Sequence, residues 1–342
     1  MHAEETSSRY SRQTLFKPIG AEGQRKLSES SVLIVGMGAL GTVLANHMVR
    51  AGVGKVRFID RDYVEASNLH RQMLYDEDDA ARMTPKAIAA RERLSRINSS
   101  VELEAVVADA TVDNIESLLA GVDLALDGTD NFQTRYLLND ACFKRGIPFV
   151  YGGSVASRGM SAIFVPGETP CLRCLIQPSD DAGDTCDTAG VIAPIVDIVA
   201  SYQAVEALKH LVGDSAARRS RLVTLDVWHN HYYEMKLPPA RSDCPVCSGS
   251  RYPALERNGT EGAAASLCGR ETVQIRARAS FDLNEWRGRL ERVATVKTNP
   301  FLLKAELPEG ERLVLFPDGR ALVQGTEDTV RAKTLYARYI GM

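Results

Sequence analysis

The sequence predicts an α/β protein: a Rossmann-like doubly wound sheet with a structural zinc site, followed by a small C-terminal α+β module. Three observations predict it. A β-branched run, Ser31 to Val35, leads directly into Gly36-Met37-Gly38-Ala39-Leu40-Gly41 and then a helix of apolar period. Strand-like and helix-like segments alternate from there to Tyr151. Two Cys-x-x-Cys pairs, Cys171/Cys174 and Cys244/Cys247, close the region.

Taken in order, the first helix carries Val43, Leu44, Met48 and Ala51 on its period, and a second strand, Val56 to Ile59, ends in Asp60. That is where a nucleotide-binding βαβ unit places its ribose-binding acid. Thr84-Pro85 starts a helix running to Ile97, with Thr as cap and Pro at the first helical position. Strands follow at Val101 to Val107 and Leu124 to Asp127, with a short helix near Ile115 to Leu119 between them. A helix around Arg135 to Lys144 leads to a strand at Pro148 to Tyr151, and the alternation predicts a mainly parallel sheet. The acidic stretch Pro178 to Ala189, rich in Gly, Ser and Thr, reads as a mobile loop. A long helix from about Pro194 to Leu211 and strands at Arg221 to Asp226 and His231 to Leu237 complete a main domain over residues 1–248. Residues 249–267 read as a linker. Residues 268–342 form the small module, with strands at Phe301 to Lys304 and Leu313 to Phe316, a Pro317-Asp318-Gly319 turn and a final helix to Tyr339.

The 342 residues carry 41 basic and 44 acidic side chains without a block of like charge, which argues against a nucleic-acid partner. The N-terminal stretch lacks the apolar core of a signal peptide, and no later run approaches the roughly 18 apolar residues of a membrane span. The expectation is a cytoplasmic protein. Seven cysteines make an odd count, and in a reducing compartment paired Cys-x-x-Cys motifs favour metal over disulfides. Four thiolates from two such knuckles complete a tetrahedron with no open position, so Cys171, Cys174, Cys244 and Cys247 are expected to hold a structural Zn²⁺. Cys142 and Cys268 read as packing residues.

A glycine loop alone fits NAD and FAD enzymes as well as ATP enzymes. An NAD-dependent oxidoreductase would explain the loop and Asp60, yet it leaves the charges of Asp60-Arg61-Asp62 through Arg71-Gln72 without a purpose. The decisive pattern is Gly36-x-Gly38-x-x-Gly41, Asp60-x-Asp62-x-Val64-x-x-Ser67-Asn68-Leu69-x-Arg71-Gln72, Pro85-Lys86 and Asp127-x-Thr129-Asp130-Asn131. It resembles the signature set of the E1-like adenylyltransferases, the MoeB, ThiF and HesA group. The likeness extends from Arg9-Tyr10-Ser11-Arg12-Gln13 to Cys247, with Ala39 where many relatives have Gly.

The resemblance implies an enzyme that joins the C-terminal glycine of a ubiquitin-like sulfur-carrier protein ending in Gly-Gly to the α-phosphate of ATP, in preparation for thiocarboxylate formation. It implies that Asp60 holds the ribose, that Asn68, Arg71 and Lys86 neutralise phosphates and that Asp130 positions Mg²⁺. Gly36, Gly38, Ala39, Gly41, Asp62, Ser67 and Asn131 belong to the same nucleotide site. Arg12 comes from the neighbouring protomer in this group, which implies a homodimer. Relatives carry a cysteine at the position of Cys186 that takes the activated acyl group; a covalent and an accessory role both stand for it here, since flanking aspartates raise a thiol pKa. A cysteine desulfurase or other sulfur donor is a further implied partner. The tail and Cys186 favour the thiamine-thiazole, ThiF-like branch over the MoeB-like branch that activates the molybdopterin synthase small subunit.

Overall fold

The computed structural model describes residues 9–177, 189–256, 265–267, 271–277 and 279–341. They divide into two compact units, one of residues 9–177 and 190–256 and one of residues 265–341.

The first unit is built on an eight-stranded sheet. Its strands are β1 (Ser31–Val35), β2 (Lys55–Asp60), β3 (Glu102–Val107), β4 (Leu124–Asp127), β5 (Phe149–Val155), β6 (Arg158–Phe164), β7 (Arg221–Asp226) and β8 (His231–Lys236), in spatial order β3-β2-β1-β4-β5-β6-β7-β8. The strands β3 to β5 of that order are parallel, and β5 to β8 run antiparallel. Four of the seven pairings are parallel, so the sheet is mainly parallel, with an antiparallel half beyond β5. The strand that sequence reading missed is β6. It returns from β5 through Ala156 and Ser157, and Ala156 takes a left-handed φ of 54° without any Gly, Asn or Pro to announce the turn.

Two short N-terminal helices, α1 (Ser11–Thr14) and α2 (Gly20–Glu29), precede β1, and α3 (Ala39–Ala51) follows it. Then come α4 (Glu77–Ala81), α5 (Lys86–Ile97), α6 (Ile115–Leu118), α7 (Phe132–Arg145), α8 (Leu172–Leu175) and the long α9 (Ala193–Val212). Alternation along β1 sorts the layers. Val32 and Ile34 face a core with Val43, Leu44 and Met48 of α3 and Ile195, Val196 and Val199 of α9. Leu33 and Val35 face the opposite core with Ile115 of α6 and Leu137 and Leu138 of α7. Both faces are therefore covered, as a parallel sheet requires. Pro85 sits at the N-cap of α5, so the helix begins at Lys86, one residue later than Thr84 capping would give. Helix α7 begins earlier than expected because Asn131 caps it, its Oδ1 accepting from Thr134 N at 2.9 Å.

The second unit is an antiparallel six-stranded sheet of β9 (Ala265–Leu267), β10 (Thr272–Arg276), β11 (Thr295–Thr298), β12 (Leu303–Glu306), β13 (Arg312–Leu315) and β14 (Arg320–Gln324), ordered β11-β12-β13-β14-β10-β9. Helices α10 (Leu283–Leu290) and α11 (Thr329–Tyr339) start at Asp282 and Asp328, whose carboxylates accept backbone N–H groups. Leu290, Ala332 and Leu335 pack on Val273, Leu303, Leu313 and Val323. Both edges of the expected 249–267 linker are folded: Ala254 N donates to Asp140 Oδ2 in the first unit, and Ala265–Leu267 is a strand of the second.

Beyond β1 the backbones of Gly36, Gly41 and Gly128 touch. A Cβ on Gly41 would lie 1.9 Å from Gly36 O, and one on Gly128 would lie 2.4 Å from the same atom. No side chain is there to give way. Gly41→Ala is expected to cost at least ~3 kcal/mol, the upper end of ordinary overpacking, because only backbone can move. Thermal melts check this, and a native melting temperature in that variant would refute the packing argument.

Candidate nucleotide and metal sites

Because Gly41 lets α3 settle against β1, the first turn of that helix opens over the ends of β1 and β4. Gly38 is its N-cap, so free backbone N–H groups and the positive end of the helix dipole point outward. Gly38 differs from its neighbours. A Cβ there would meet only Gln72 Nε2, at 3.9 Å. Protein packing does not require that glycine, and the space in front of it would admit a ligand close to the backbone.

Asp60, at the end of β2, accepts from Met37 N at 2.6 Å and from Asp62 N at 2.7 Å, so its carboxylate is fixed against the glycine turn. Burial raises its pKa above the ordinary carboxylate value, Lys86 opposes that shift and the like charge of Asp62 adds to it. Lys86 is 4% exposed, and its Nζ lies 3.6 Å from Asp62 Oδ2. Lys86, expected from the resemblance to neutralise phosphates, is buried beside Asp60 and Asp62; it is the first residue of α5, and its N–H bonds Asp62 O at 2.9 Å. The two pieces are joined by Tyr75, whose hydroxyl lies 2.7 Å from Met37 O and 3.2 Å from Lys86 O.

The other expected phosphate ligands stand on the loop between β2 and α4. Asn68 is buried and closes a 3₁₀ turn at Ala66–Asn68 by accepting from Glu65 N at 3.3 Å. Arg71 Nη1 donates to Ser67 O at 3.0 Å, and the side chain is half-exposed. Gln72, to which sequence reading gave no role, is buried with Oε1 lacking a hydrogen-bond partner among the described residues. Asp130 is exposed and lies two residues after Gly128, which touches Gly36. Asn131 lends its side chain to the cap of α7. Thus Gly36, Gly38, Ala39, Gly41, Asp60, Asp62 and Lys86 meet at the ends of β1 and β2, with Asp130 approaching from β4. Arg12 is exposed on α1. Cys186 and Cys268 lie outside the described residues.

Two residues beneath this site gave no signal in the sequence. Arg135 is buried on Asp127, and Gln203 of α9 donates to Asp127 O at 2.9 Å and Val150 O at 3.2 Å. Their residue types are common on helices, and only the fold turns them inward.

The thiol pairs come together. All four sulfurs of Cys171, Cys174, Cys244 and Cys247 lie within 4.8 Å of one another, with Cys171 and Cys244 at 3.6 Å and Cys174 and Cys247 at 3.8 Å. A tetrahedron of about 2.3 Å Zn–S bonds has edges of about 3.8 Å, so the donor set fits that ion. Burial pushes the Cys247 thiol up to about 12, the direction a cation would reverse. The first knuckle is pinned to α7: Arg173 clamps Asp140 at 2.7 and 2.8 Å, and Leu172 N donates to Asn139 Oδ1 at 2.9 Å.

Among the described residues no helix is long and apolar enough to cross a membrane. Over 340 residues the chain is 46% identical to the sulfur carrier protein ThiS adenylyltransferase of Bacillus subtilis (strain 168), covering 98% of this chain and 100% of that one. It is 39% identical over 251 residues to a sulfur carrier protein adenylyltransferase of Thermus thermophilus, covering 71% of this chain and 91% of that one. The adenylyltransferase and sulfurtransferase MOCS3 of Aedes aegypti is 37% identical over 243 residues, a match that covers 70% of this chain but 55% of that protein. Among solved structures, Escherichia coli MccB with MccA-N7isoASN aligns with a TM-score of 0.61 at 21% identity, over 71% of this chain and 75% of that one, which speaks for the fold alone. The model of the ThiF family matches residues 10–246, from the head of α1 into the second thiol pair. That span takes in the whole eight-stranded sheet, and the chain belongs to the ThiF family.

Proposed function

We propose that this protein is an ATP-dependent adenylyltransferase acting on the C-terminal glycine of a ubiquitin-like sulfur-carrier protein that ends in Gly-Gly, for thiocarboxylate formation in thiamine-thiazole biosynthesis. The observation that carries the chemistry is the opening at Gly38, a helix N-terminus with room in front of it, beside Lys86, whose backbone carbonyl is linked to the same turn through Tyr75 and whose buried ammonium pairs with Asp62. Such a cradle suits a polyphosphate. The carrier carboxylate attacks the α-phosphorus, the bond from that phosphorus to the bridging oxygen breaks, and pyrophosphate leaves with its electron pair. Lys86, Arg71 and Asn68 offset the charge that builds as two anions meet, Asp60 holds the ribose hydroxyls, and Asp130 would hold a Mg²⁺ ion, which would supply further charge neutralisation to the phosphates. The thiamine branch is favoured over the molybdopterin branch because the likeness to the ThiS adenylyltransferase runs through the six-stranded unit, whereas the MOCS3 match spans 243 residues.

The deciding assay is ATP–pyrophosphate exchange with candidate carriers. Gly38→Ala is expected to melt like the parent yet lose exchange by ~10²-fold, since the new methyl takes the ligand's space, and Lys86→Ala to lose it by ~10²–10³-fold. Retained exchange in folded Lys86→Ala would remove the nucleotide reading.

The thiol tetrad is assigned one structural Zn²⁺ per chain. Metal analysis should return one equivalent, and chelation should lower the melting temperature by about 10 °C, the shift several kcal/mol produces in a domain of this size. Retention should weaken as pH falls, because thiols must ionise to bind. Protein purified cleanly without zinc would refute this.

Arg12 is assigned to the partner's site in a homodimer. Mixing Arg12→Ala with Arg71→Ala subunits should then restore exchange at one site in each heterodimer. If subunits exchange and no activity returns, the arm acts within its own chain.

A further inference from the structure

We infer that Arg135 is a positioning residue that sets the Asp130 carboxylate for the metal ion from beneath the site, an inference that rests on the nucleotide reading above. Arg135 is 7% exposed on the first turn of α7. Its Nε donates to Asp127 Oδ2 at 3.0 Å, and its Nη2 to Thr129 O at 2.7 Å and Gly152 O at 3.2 Å. The rings of Phe132 and Tyr151 lie 5.1 and 5.4 Å from the guanidinium carbon. Asp127 is fully buried, and its Oδ1 accepts from Thr129 N at 2.9 Å and Thr129 Oγ1 at 2.7 Å.

Every polar group of Thr129 is therefore held by this one ion pair: its N–H and hydroxyl by the carboxylate, its carbonyl by the guanidinium. On the far side Asn131 is fixed by its cap to Thr134 N. Asp130 is the residue between them, and it faces solvent. A buried Asp–Arg pair serving stability alone has no need to spend its bonds on one loop residue. Only a planar fork reaches a side-chain carboxylate and two main-chain carbonyls together; an ammonium is a single point. Mg²⁺ demands near-ideal octahedral geometry at about 2.0–2.1 Å, so a small displacement of Asp130 is felt by the metal before it is felt by the nucleotide.

The test titrates Mn²⁺ by electron paramagnetic resonance against the full-length protein with ATP present, alongside metal-free ATP binding. Arg135→Lys should weaken Mn²⁺ binding about tenfold and change metal-free ATP binding by less than about threefold, a tenfold change being ~1.4 kcal/mol. The same shift should appear in the Mg²⁺ midpoint of pyrophosphate exchange. A purely structural role would lower the active fraction and leave both midpoints in place, and that result overturns the inference. If Arg135→Lys does not fold, the isosteric Thr129→Val removes only the hydroxyl bond and should weaken Mn²⁺ binding by about threefold, in line with one lost buried hydrogen bond; an unchanged midpoint there overturns it too. Parent protein that binds Mn²⁺ with ATP but never exchanges pyrophosphate would sink the proposed reaction and leave the positioning role standing. Parent protein that binds no Mn²⁺ with ATP would end the inference itself.

Discussion

The close approach of three backbones, Gly36, Gly41 and Gly128, is the constraint on which the site depends. Gly36 O sits where any side chain at 41 or 128 would have to be. Only with all three bare can α3 press its N-terminus onto the ends of β1 and β4, and only then do the free N–H groups of that turn face the space beside Asp60 and Lys86. A looser packing would keep the same strand order and lose the open helix N-terminus at Gly38. The fold tolerates many sequences at its core positions but few at this contact, because hydrophobic volume can be redistributed and a carbonyl oxygen at 1.9 Å cannot.

Helix α7 connects the two chemical sites by the same device used twice. Near its start Arg135 of the helix meets Asp127 of β4, and further along Asp140 of the helix meets Arg173 of the first knuckle. Both carboxylates are fully buried, and both are also bonded to backbone N–H groups outside the ion pair, Thr129 for one and Ala254 for the other. Burying a charge is costly, and such pairs often add little stability. What they provide here is register: each ties a connecting segment to α7 at one fixed point. Arg173 also stacks on Tyr136 at 4.7 Å, so the knuckle is seated on the helix independently of a metal.

The parts of the structure legible in the sequence are those with a local physical signal. β1, its glycine turn and α3 follow from a change of period at one position, and the thiol tetrad follows from spacing. What escaped needed three-dimensional context. β6 hides because its turn is made by Ala156 in a conformation alanine rarely adopts, and β11 (Thr295–Thr298) is too short and half-exposed to show a period. Helix α10 carries Trp286, Gly288 and three charged residues in eight positions, a weak pattern for a helix start. The burial of Lys86 escaped for another reason. The motif gave Lys86 a role but not its depth, which depends on Asp62, distant in sequence, supplying the counter-charge.

That counter-charge separates nucleotidyl transfer from redox chemistry more firmly than the glycine loop does. A nicotinamide needs an apolar slot beyond the pyrophosphate, where hydride can move without water and without strong local charge. Here the strand end offers Asp60, Asp62 and Lys86 within one cluster, with Arg61 pairing to Asp109 at 3.3 Å beside it. Burial raises the Asp60 carboxyl above its ordinary value, with the like charge of Asp62 adding and Lys86 opposing. For an enzyme that must bring a carboxylate to a phosphate, such a cluster makes sense: Lys86 is kept in place by Asp62 before the substrate arrives, so little reorganisation is left when negative charge develops in front of it. A dehydrogenase places only a ribose at this strand end and would gain nothing from an ammonium preset beside it.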